Sequence, residues 1–430
     1  MNLVVFGAGY VGLVTSVCLA EKGNNVICID NNSEKVQKLI TGNPLIYEER
    51  LEKLLKKNLK NKRLNFVDSI ENISTKIDAI FVCVGTPEKA DGIVELKYVY
   101  EALNEIIKMV NNDVVVAIKS TVPIGECDKI ETYINDRKTK KIKVEVVSSP
   151  EFLSQGTAIN DFLENQRIII GANTKFSKEI MKKIYNGFKQ TKLITTRKNA
   201  EMIKYASNSF LALKISYVNS IADLCEKLGT DINIVSTGMG LDERIGRNFL
   251  NAGIGYGGSC FPKDTKALLK IAEENNICLD LVKDTILINE RQKFKLIKMS
   301  RKNLKSFDGV NVAILGLTFK PNTNDLRESL AIENIKILLK EKANVTVYDP
   351  VIKKEEFGKL YRNVKFEETI EDTIKNKDVC FIFTEWKEIK KFDVSKYKEL
   401  MKTALIYDGR NCYEKEIMEK NKIKYFSIGR

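Results

Sequence analysis

The sequence predicts an α/β fold: two Rossmann-like doubly wound domains joined by a central helical region with a long spine helix. Three observations point there. A strand, a glycine-rich turn, a helix and a second strand ending in an acid stand at the N-terminus, over 3–30. The same order returns over 310–349. Between them, apolar residues recur at helical spacing over 199–228, too long a run for a simple crossover between strands. The expected divisions are 1–196 for a dinucleotide-binding domain, 197–304 for a helical region, and 305–430 for a second nucleotide-binding domain.

The first strand, over 3–6, runs into Gly7-Ala8-Gly9-Tyr10-Val11-Gly12, then a helix to about residue 22 and a strand over 25–29 that ends in Asp30. Gly7, Gly9 and Gly12 permit a tight turn, with Tyr10 and Val11 inside it, and let a pyrophosphate approach a helix N-terminus. The acid is placed to meet a ribose hydroxyl. Strand, turn, helix and acid in this order are a strong signal where a bare glycine triplet is weak. Asp30 favours NAD over NADP, since a 2′-phosphate would face a carboxylate, and Lys35 is the one nearby cation that could soften this.

Further strands over 79–84 and 114–118 leave through Gly85-Thr86-Pro87 and Ser120-Thr121-Val122-Pro123. A strand over 144–147 leaves through Ser149-Pro150-Glu151-Phe152-Leu153. Ligands of open α/β sheets sit at such strand exits, so Thr86, Thr121 and Glu151 become candidates. A Thr-Pro turn and a surface acid are the plainer readings of each one alone.

In the spine helix, Ile203, Ala206, Phe210, Leu213, Ile221 and Leu224 form an apolar face, which is expected to bury itself against a second copy of the chain. Lys204 and Asn208 are four apart and project from one side. Beyond Arg244 and the segment 249–253 comes Gly255-Tyr256-Gly257-Gly258-Ser259-Cys260-Phe261-Pro262-Lys263-Asp264. Here one cysteine stands between a glycine loop and a helix beginning near Pro262, where a proline suits the first turn. The positive end of the helix dipole and the Lys263 cation both favour thiolate. Gly257 and Gly258 let backbone N–H groups approach a ligand. Most lone cysteines are small buried hydrophobes, so this loop needs the rest of the chain to support it. Two helices, over 262–275 and 279–303, complete the region.

The second α/β unit has strands over 310–315 and 345–348, the latter ending in Asp349, a helix from about Arg327, and strands over 378–384 and 404–407. Its first turn reads Gly-Leu-Thr-Phe-Lys-Pro and lacks the later glycines, so a dinucleotide does not belong there. Lys320, Arg327 and Arg410 are placed for anionic groups instead.

Composition narrows the chemistry. The chain contains no histidine, which removes any Ser-His or Cys-His pair and any His-ligated metal. No metal is expected, and acid–base work falls to Lys, Asp, Glu, Tyr or water. Nine cysteines without CxxC spacing argue for reduced thiols in a cytoplasm. The net charge of +13 raises nucleic acid as a partner, but the lysine runs are short and broken by acids, with no nucleic-acid motif beside them. The first twenty residues carry no charge, yet they lack a basic start and are broken by glycines. Neither a signal peptide nor a membrane span is expected.

Taken together, GAGYVG at Gly7, STVP at Ser120, SPEFL at Ser149, the Lys204/Asn208 pair, GYGGSCFPKD at Gly255, FKP at Phe319 and DGR at Asp408 resemble the UDP-glucose / GDP-mannose dehydrogenases over nearly the whole chain. The resemblance implies an N-terminal NAD domain, a central dimerisation region giving a homodimer, and a C-terminal UDP-binding domain. It implies two successive hydride transfers that convert UDP-glucose to UDP-glucuronate. By motif match, Cys260 is the nucleophile, Lys204 and Asn208 hold developing oxyanions, and Asp264 and Glu151 handle protons and the hydrolytic water with Thr121 close by. Thr86, Thr121, Glu151, Lys263 and Arg327 join the glycine turn in holding the cofactor. Phe152, Leu153, Phe249, Leu250, Asn251, Ala252, Gly253, Gly257, Phe319, Lys320 and Arg410 hold the nucleotide sugar, with Arg244 reaching in from a partner subunit. Such chemistry is coherent by itself: a four-electron oxidation needs two hydride transfers, and a thiolate can trap the aldehyde between them. A two-electron hydroxyacid dehydrogenase would leave Cys260 unused. GDP-mannose or UDP-N-acetylhexosamine enzymes would differ in the base and sugar pockets.

Overall fold

A computed structural model describes residues 1–71, 73, 76–89, 92–165 and 167–430. They form two compact units, Met1–Ser207 and Asn208–Arg430. The first holds one eight-stranded sheet, comprising β1 (Asn2–Phe6), β2 (Asn25–Ile29), β3 (Leu64–Val67), β4 (Ala79–Val82), β5 (Val114–Ile118), β6 (Val144–Ser148), β7 (Ile168–Gly171) and β8 (Lys192–Thr195). The spatial order is β3-β2-β1-β4-β5-β6-β7-β8, and every pairing is parallel except β6 with β7. The order reverses at β1, and the crevice between β1 and β4 is where doubly wound sheets take their ligands.

Why the central strands read as continuous apolar runs is clear from their burial. β4 and β5 are covered on both faces, so Ala79 to Val82 and Val114 to Ile118 have no side for water. Two hydrophobic cores result, one on each face of the sheet. Val5, Phe81, Val14 and Val17 lie in one, while Val4, Ile80, Val116 and Leu103 lie in the other.

The second unit repeats the arrangement with six parallel strands: β9 (Asn311–Leu315), β10 (Asn344–Tyr348), β11 (Lys365–Phe366), β12 (Val379–Ile382), β13 (Leu405–Asp408) and β14 (Lys424–Ser427). Their order is β11-β10-β9-β12-β13-β14, the same winding as the first six strands of the larger sheet. The doubly wound fold expected from the repeated pattern is therefore present twice.

The spine helix runs from Arg197 to Leu228. Its N-terminal turn is tied into the first unit by charge. Arg197 pairs with Asp128 at 2.7 Å and Glu131 at 2.6 Å, and Glu201 accepts from the N–H groups of Gly125 and Cys127 at the start of helix Glu126–Arg137. A carboxylate there satisfies N–H groups that the helix itself leaves unbonded. Phe210, Tyr217 and Leu224, seven residues apart, stand 61%, 50% and 53% exposed along the helix.

Three details differ from the expectations. The helix expected over 279–303 is two, Asp280–Gln292 and Lys295–Ser300, because the amide of Asn334 takes the Lys293 carbonyl at 2.9 Å at the break. The helix expected from Arg327 begins at Leu330, after Asp325 has drawn Arg327 into an Asx-type turn. Strands β3, β7, β8, β11 and β14, of two to four residues, were not anticipated; all but β7 mix Lys or Asn into a short apolar run.

Candidate active site

The glycine turn of the first unit is built for a dinucleotide. Gly7 sits at a φ of +93° and donates to the Ile29 carbonyl at 2.7 Å. A Cβ on Gly12 would stand 1.7 Å from the Gly7 carbonyl oxygen, so only glycine lets the helix Tyr10–Glu21 begin there. A Cβ on Gly9, by contrast, would meet nothing within 4 Å, which leaves the helix N-terminus open to a phosphate. Asp30 accepts from the Ala8 N–H at 2.8 Å and from the Asn32 N–H at 3.2 Å. Lys35 pairs with it at 2.7 Å, so the cation that could have welcomed a 2′-phosphate is engaged by the acid that opposes one. Tyr10 turns its hydroxyl onto Glu48, and both face the Gly156 N–H, at 3.1 and 2.7 Å. Burial raises the Glu48 carboxyl above its ordinary range, while its hydrogen bonds from Tyr10 and the Gly156 backbone oppose that rise.

Thr86 and Thr121, both half-buried, follow β4 and β5, and Ser120 donates to the Val84 carbonyl at 2.7 Å between them. Glu151 follows β6. It is buried, and the Lys204 ammonium reaches both its carboxylate, at 3.0 Å, and its backbone carbonyl, at 2.7 Å. The other carboxylate oxygen accepts from the Leu153 N–H at 2.6 Å. The Phe152 ring lies between the Arg167 guanidinium, 4.2 Å from its centroid, and the Lys204 ammonium at 5.4 Å. In this unit the structure thus brings together Glu151, Phe152, Leu153 and Lys204.

In the second unit, Cys260 is the N-cap of helix Phe261–Glu274 and is exposed, its sulfur 3.8 Å from the Ser259 hydroxyl. One turn on, Asp264 is buried, accepting from the Asn208 amide at 2.6 Å and pairing with Lys263 at 2.6 Å. The loop before the cysteine has no strand to lean on. Its backbone is satisfied by buried amide side chains. Asn289 donates to the Tyr256 carbonyl at 3.0 Å and accepts from the Tyr256 N–H at 2.8 Å. Gln292 donates to the Gly253 carbonyl at 2.6 Å, and Asn219 accepts from the Gly253 N–H at 2.8 Å.

Phe319 packs directly on this loop: a Cβ on Gly258, at a φ of +79°, would stand 2.6 Å from its ring, and one on Gly257 would stand 2.1 Å from the Glu328 carbonyl. Arg410 donates to the Gly255 carbonyl at 3.2 Å and to the Phe383 carbonyl at 2.9 Å. Leu250 and Ala252 are buried, Asn251 is exposed, and Phe249 adopts a left-handed φ of +65° with its ring 6.0 Å from that of Phe261. Lys320 is half-buried beside Phe319.

Three further predicted cations have acidic neighbours, Arg410 lying 3.4 Å from Glu385. Arg327 forks onto Asp325 at 2.6–3.1 Å, yet still lies within electrostatic reach of Cys260. Arg244 forks onto Asp242 and is otherwise open to solvent. Sequence reasoning missed Asn219, Asn289, Gln292 and Glu48. The spacing of Asn289 and Gln292 on one helix side was the one available signal.

The class of protein begins with the first sheet: a dinucleotide turn with its acid intact makes this a dinucleotide-binding α/β protein of the NAD type. The chain belongs to the UDP-glucose/GDP-mannose dehydrogenase family, matching its NAD binding domain over residues 1–189, its central domain over 198–291 and its UDP binding domain over 313–415. It is 43% identical to the UDP-glucose 6-dehydrogenase YwqF of Bacillus subtilis (strain 168), over all of this chain and 98% of that one. It is 42% identical to the UDP-glucose 6-dehydrogenase of Rhizobium meliloti (strain 1021), over the full length of both. Among solved structures, a UDP-glucose dehydrogenase from Pyrobaculum islandicum is 36% identical with a TM-score of 0.90, covering 97% of this chain and 95% of that one. A UDP-D-ManNAc dehydrogenase from Pyrococcus horikoshii is 26% identical with a TM-score of 0.88, covering 100% and 99%. Among the described residues, no helix is long and apolar enough to cross a membrane.

Proposed function

We propose that this protein oxidises the C6 hydroxymethyl group of UDP-glucose to the carboxylate of UDP-glucuronate, consuming two NAD⁺ and one water per sugar. The observation that carries this reading is the cysteine helix: an exposed Cys260 at its first position and a buried Asp264 one turn on, held by Asn208 and Lys263. A two-electron dehydrogenase has no use for such a nucleophile.

The residues present fit the cofactor, since Gly9 leaves room at a helix N-terminus and Asp30 holds the turn. Bound there, NAD⁺ would supply the acceptor for hydride leaving the sugar carbon. The rest is the work of side chains. Lys204 and Asn208 steady the oxygen as it gains negative charge. The Cys260 sulfur adds to the aldehyde carbon, forming a C–S bond and an alkoxide that can lose the second hydride, which leaves a thioester. Water attacks that thioester, Asp264 or Glu151 takes its proton, and the C–S bond breaks to release the acid and the thiolate. Thr86, Thr121, Lys263 and Arg327 join the turn on the cofactor. The segment 249–253, Gly257, Phe319, Lys320 and Arg410 take the nucleotide, with Arg244 contributed across a homodimer built on the spine helix. In this reading the domains divide as 1–196, 197–304 and 305–430, and the enzyme works in the cytoplasm.

An NADH-production assay across UDP-glucose, GDP-mannose and UDP-N-acetylhexosamines tests this. Two NADH per UDP-glucose, with little turnover of the others, is the expected result. One NADH per sugar would overturn it.

A further inference from the structure

Lys119, the first residue after β5, is a buried cation that the proposed reaction leaves unassigned. Its backbone N–H donates to the Val82 carbonyl at 2.9 Å, which fixes it at the strand exit. The side chain is 5% exposed. Its ammonium has one carbonyl, that of Ser149 at a long 3.3 Å, and the Phe162 ring, 5.5 Å to the centroid. Among the described residues, no carboxylate stands within ion-pair distance of it. A buried ammonium carries three donors and a full charge, and leaving these unmet is costly.

The same lysine lines a cavity of about 40 Å³, together with Ser149, Glu151, Asp161, Phe162 and Tyr185. A water needs about 10–15 Å³ of such volume and two to four polar partners. The cavity therefore has room for about three or four waters at most. Its walls supply the partners: the Ser149 and Tyr185 hydroxyls stand 3.4 Å apart, and Glu151 contributes a carboxylate.

We propose that this cavity is a hydration site organised by Lys119, whose ammonium holds ordered water against Ser149, Tyr185 and Glu151 and so keeps the Glu151 loop in its working position. Glu151 is then gripped from two directions, by Lys204 directly and by Lys119 through water. Lys119 is a positioning residue. Its catalytic consequence rests on the proposed function; the hydration does not.

Three measurements on the full chain test this. A crystal structure resolving ordered solvent should show water hydrogen-bonded to the Lys119 ammonium inside the cavity; a dry cavity overturns the proposal whatever the enzyme's substrate. Lys119→Met should keep its thermal stability and NAD⁺ affinity while its turnover falls about tenfold to a hundredfold, as a displaced catalytic group allows. Turnover within twofold of the unmodified enzyme overturns it. Lys119→Ala should regain activity with added propylammonium and not with propanol, and Lys119→Arg should regain part of it. If neither amine nor arginine restores turnover and thermal stability falls with it, Lys119 is a packing residue and the positioning role is wrong. Should the unmodified protein oxidise no nucleotide sugar, the proposed function fails, while the water in the cavity is still judged by the crystal.

Discussion

At Cys260 the proposed chemistry depends on sulfur being both a good nucleophile and a good leaving group. Cys260→Ser is expected to lose most four-electron turnover yet keep NAD⁺ and nucleotide-sugar binding. Intact-mass analysis after incubation with both should find a slowly hydrolysed ester, and an undiminished rate would refute the thioester route. Lys204→Ala removes a donor rather than the nucleophile, and should slow both oxidations by on the order of a hundredfold. Asp30→Ala should narrow the preference for NAD⁺ over NADP⁺, and more so because it releases Lys35 from its ion pair; comparing kcat/KM for the two cofactors checks this. These residues were legible because the chemistry forces a type at a spacing: three glycines before an acid, or a cysteine before a helix-starting proline. Asn219, Asn289 and Gln292 were not. Beyond the i, i+3 spacing of Asn289 and Gln292, an amide that reads backbone groups of a distant loop leaves no local signature, and its partner is fixed only by the tertiary fold.

At the level of elements, the spine helix was readable from its period, while its anchorage was not. Arg197→Ala should cost about 3 kcal/mol, since it strips two carboxylates of a buried partner. A lowered urea midpoint in the region of Met1–Ser207 would register this. Glu201 offers a pH test. Burial raises its carboxyl above the ordinary 4.5, against the lowering pull of its hydrogen bonds to Cys127 and Gly125. The folded state then holds a proton that the unfolded chain has already released, so this group's contribution to stability falls as pH rises from 4.5 through the raised value. Glu201→Gln has no proton to lose. The stability difference between unmodified protein and variant should therefore decline over that window and level off above it; a difference that grows with pH would contradict the assignment. The split of 279–303 into two helices has a similar moral, because the break is made by Asn334 from another element.

On the scale of the whole molecule, the sequence made the doubled α/β plan legible because buried parallel strands must be apolar throughout. It could not say which way the spine helix turns its large apolar residues. The helix buries Tyr205 and Val218 together with small and polar groups such as Lys204, Asn208, Ala212, Ser216 and Asn219, and leaves Phe210, Tyr217 and Leu224 exposed. If a second copy covers that stripe, Phe210→Asp with Leu224→Asp should convert a dimer to a monomer. Light scattering at micromolar concentration checks it, and an unmodified protein that is already monomeric would end the idea.

The two glycine turns carry one further consequence. In the second sheet Gly316 repeats the geometry of Gly7, donating to Tyr348 at 2.8 Å, and Asp349 repeats Asp30, accepting from Leu317 at 2.8 Å. Asp349, however, also accepts from the Trp386 indole at 3.2 Å and from the N–H groups of Val351 and Ile352, and it is almost wholly buried. Its carboxylate is spent on its own scaffold. Anyone wishing to redesign this chain so that both halves hold a dinucleotide would find the acidic handle already present and sealed, with Trp386 the lid to remove first.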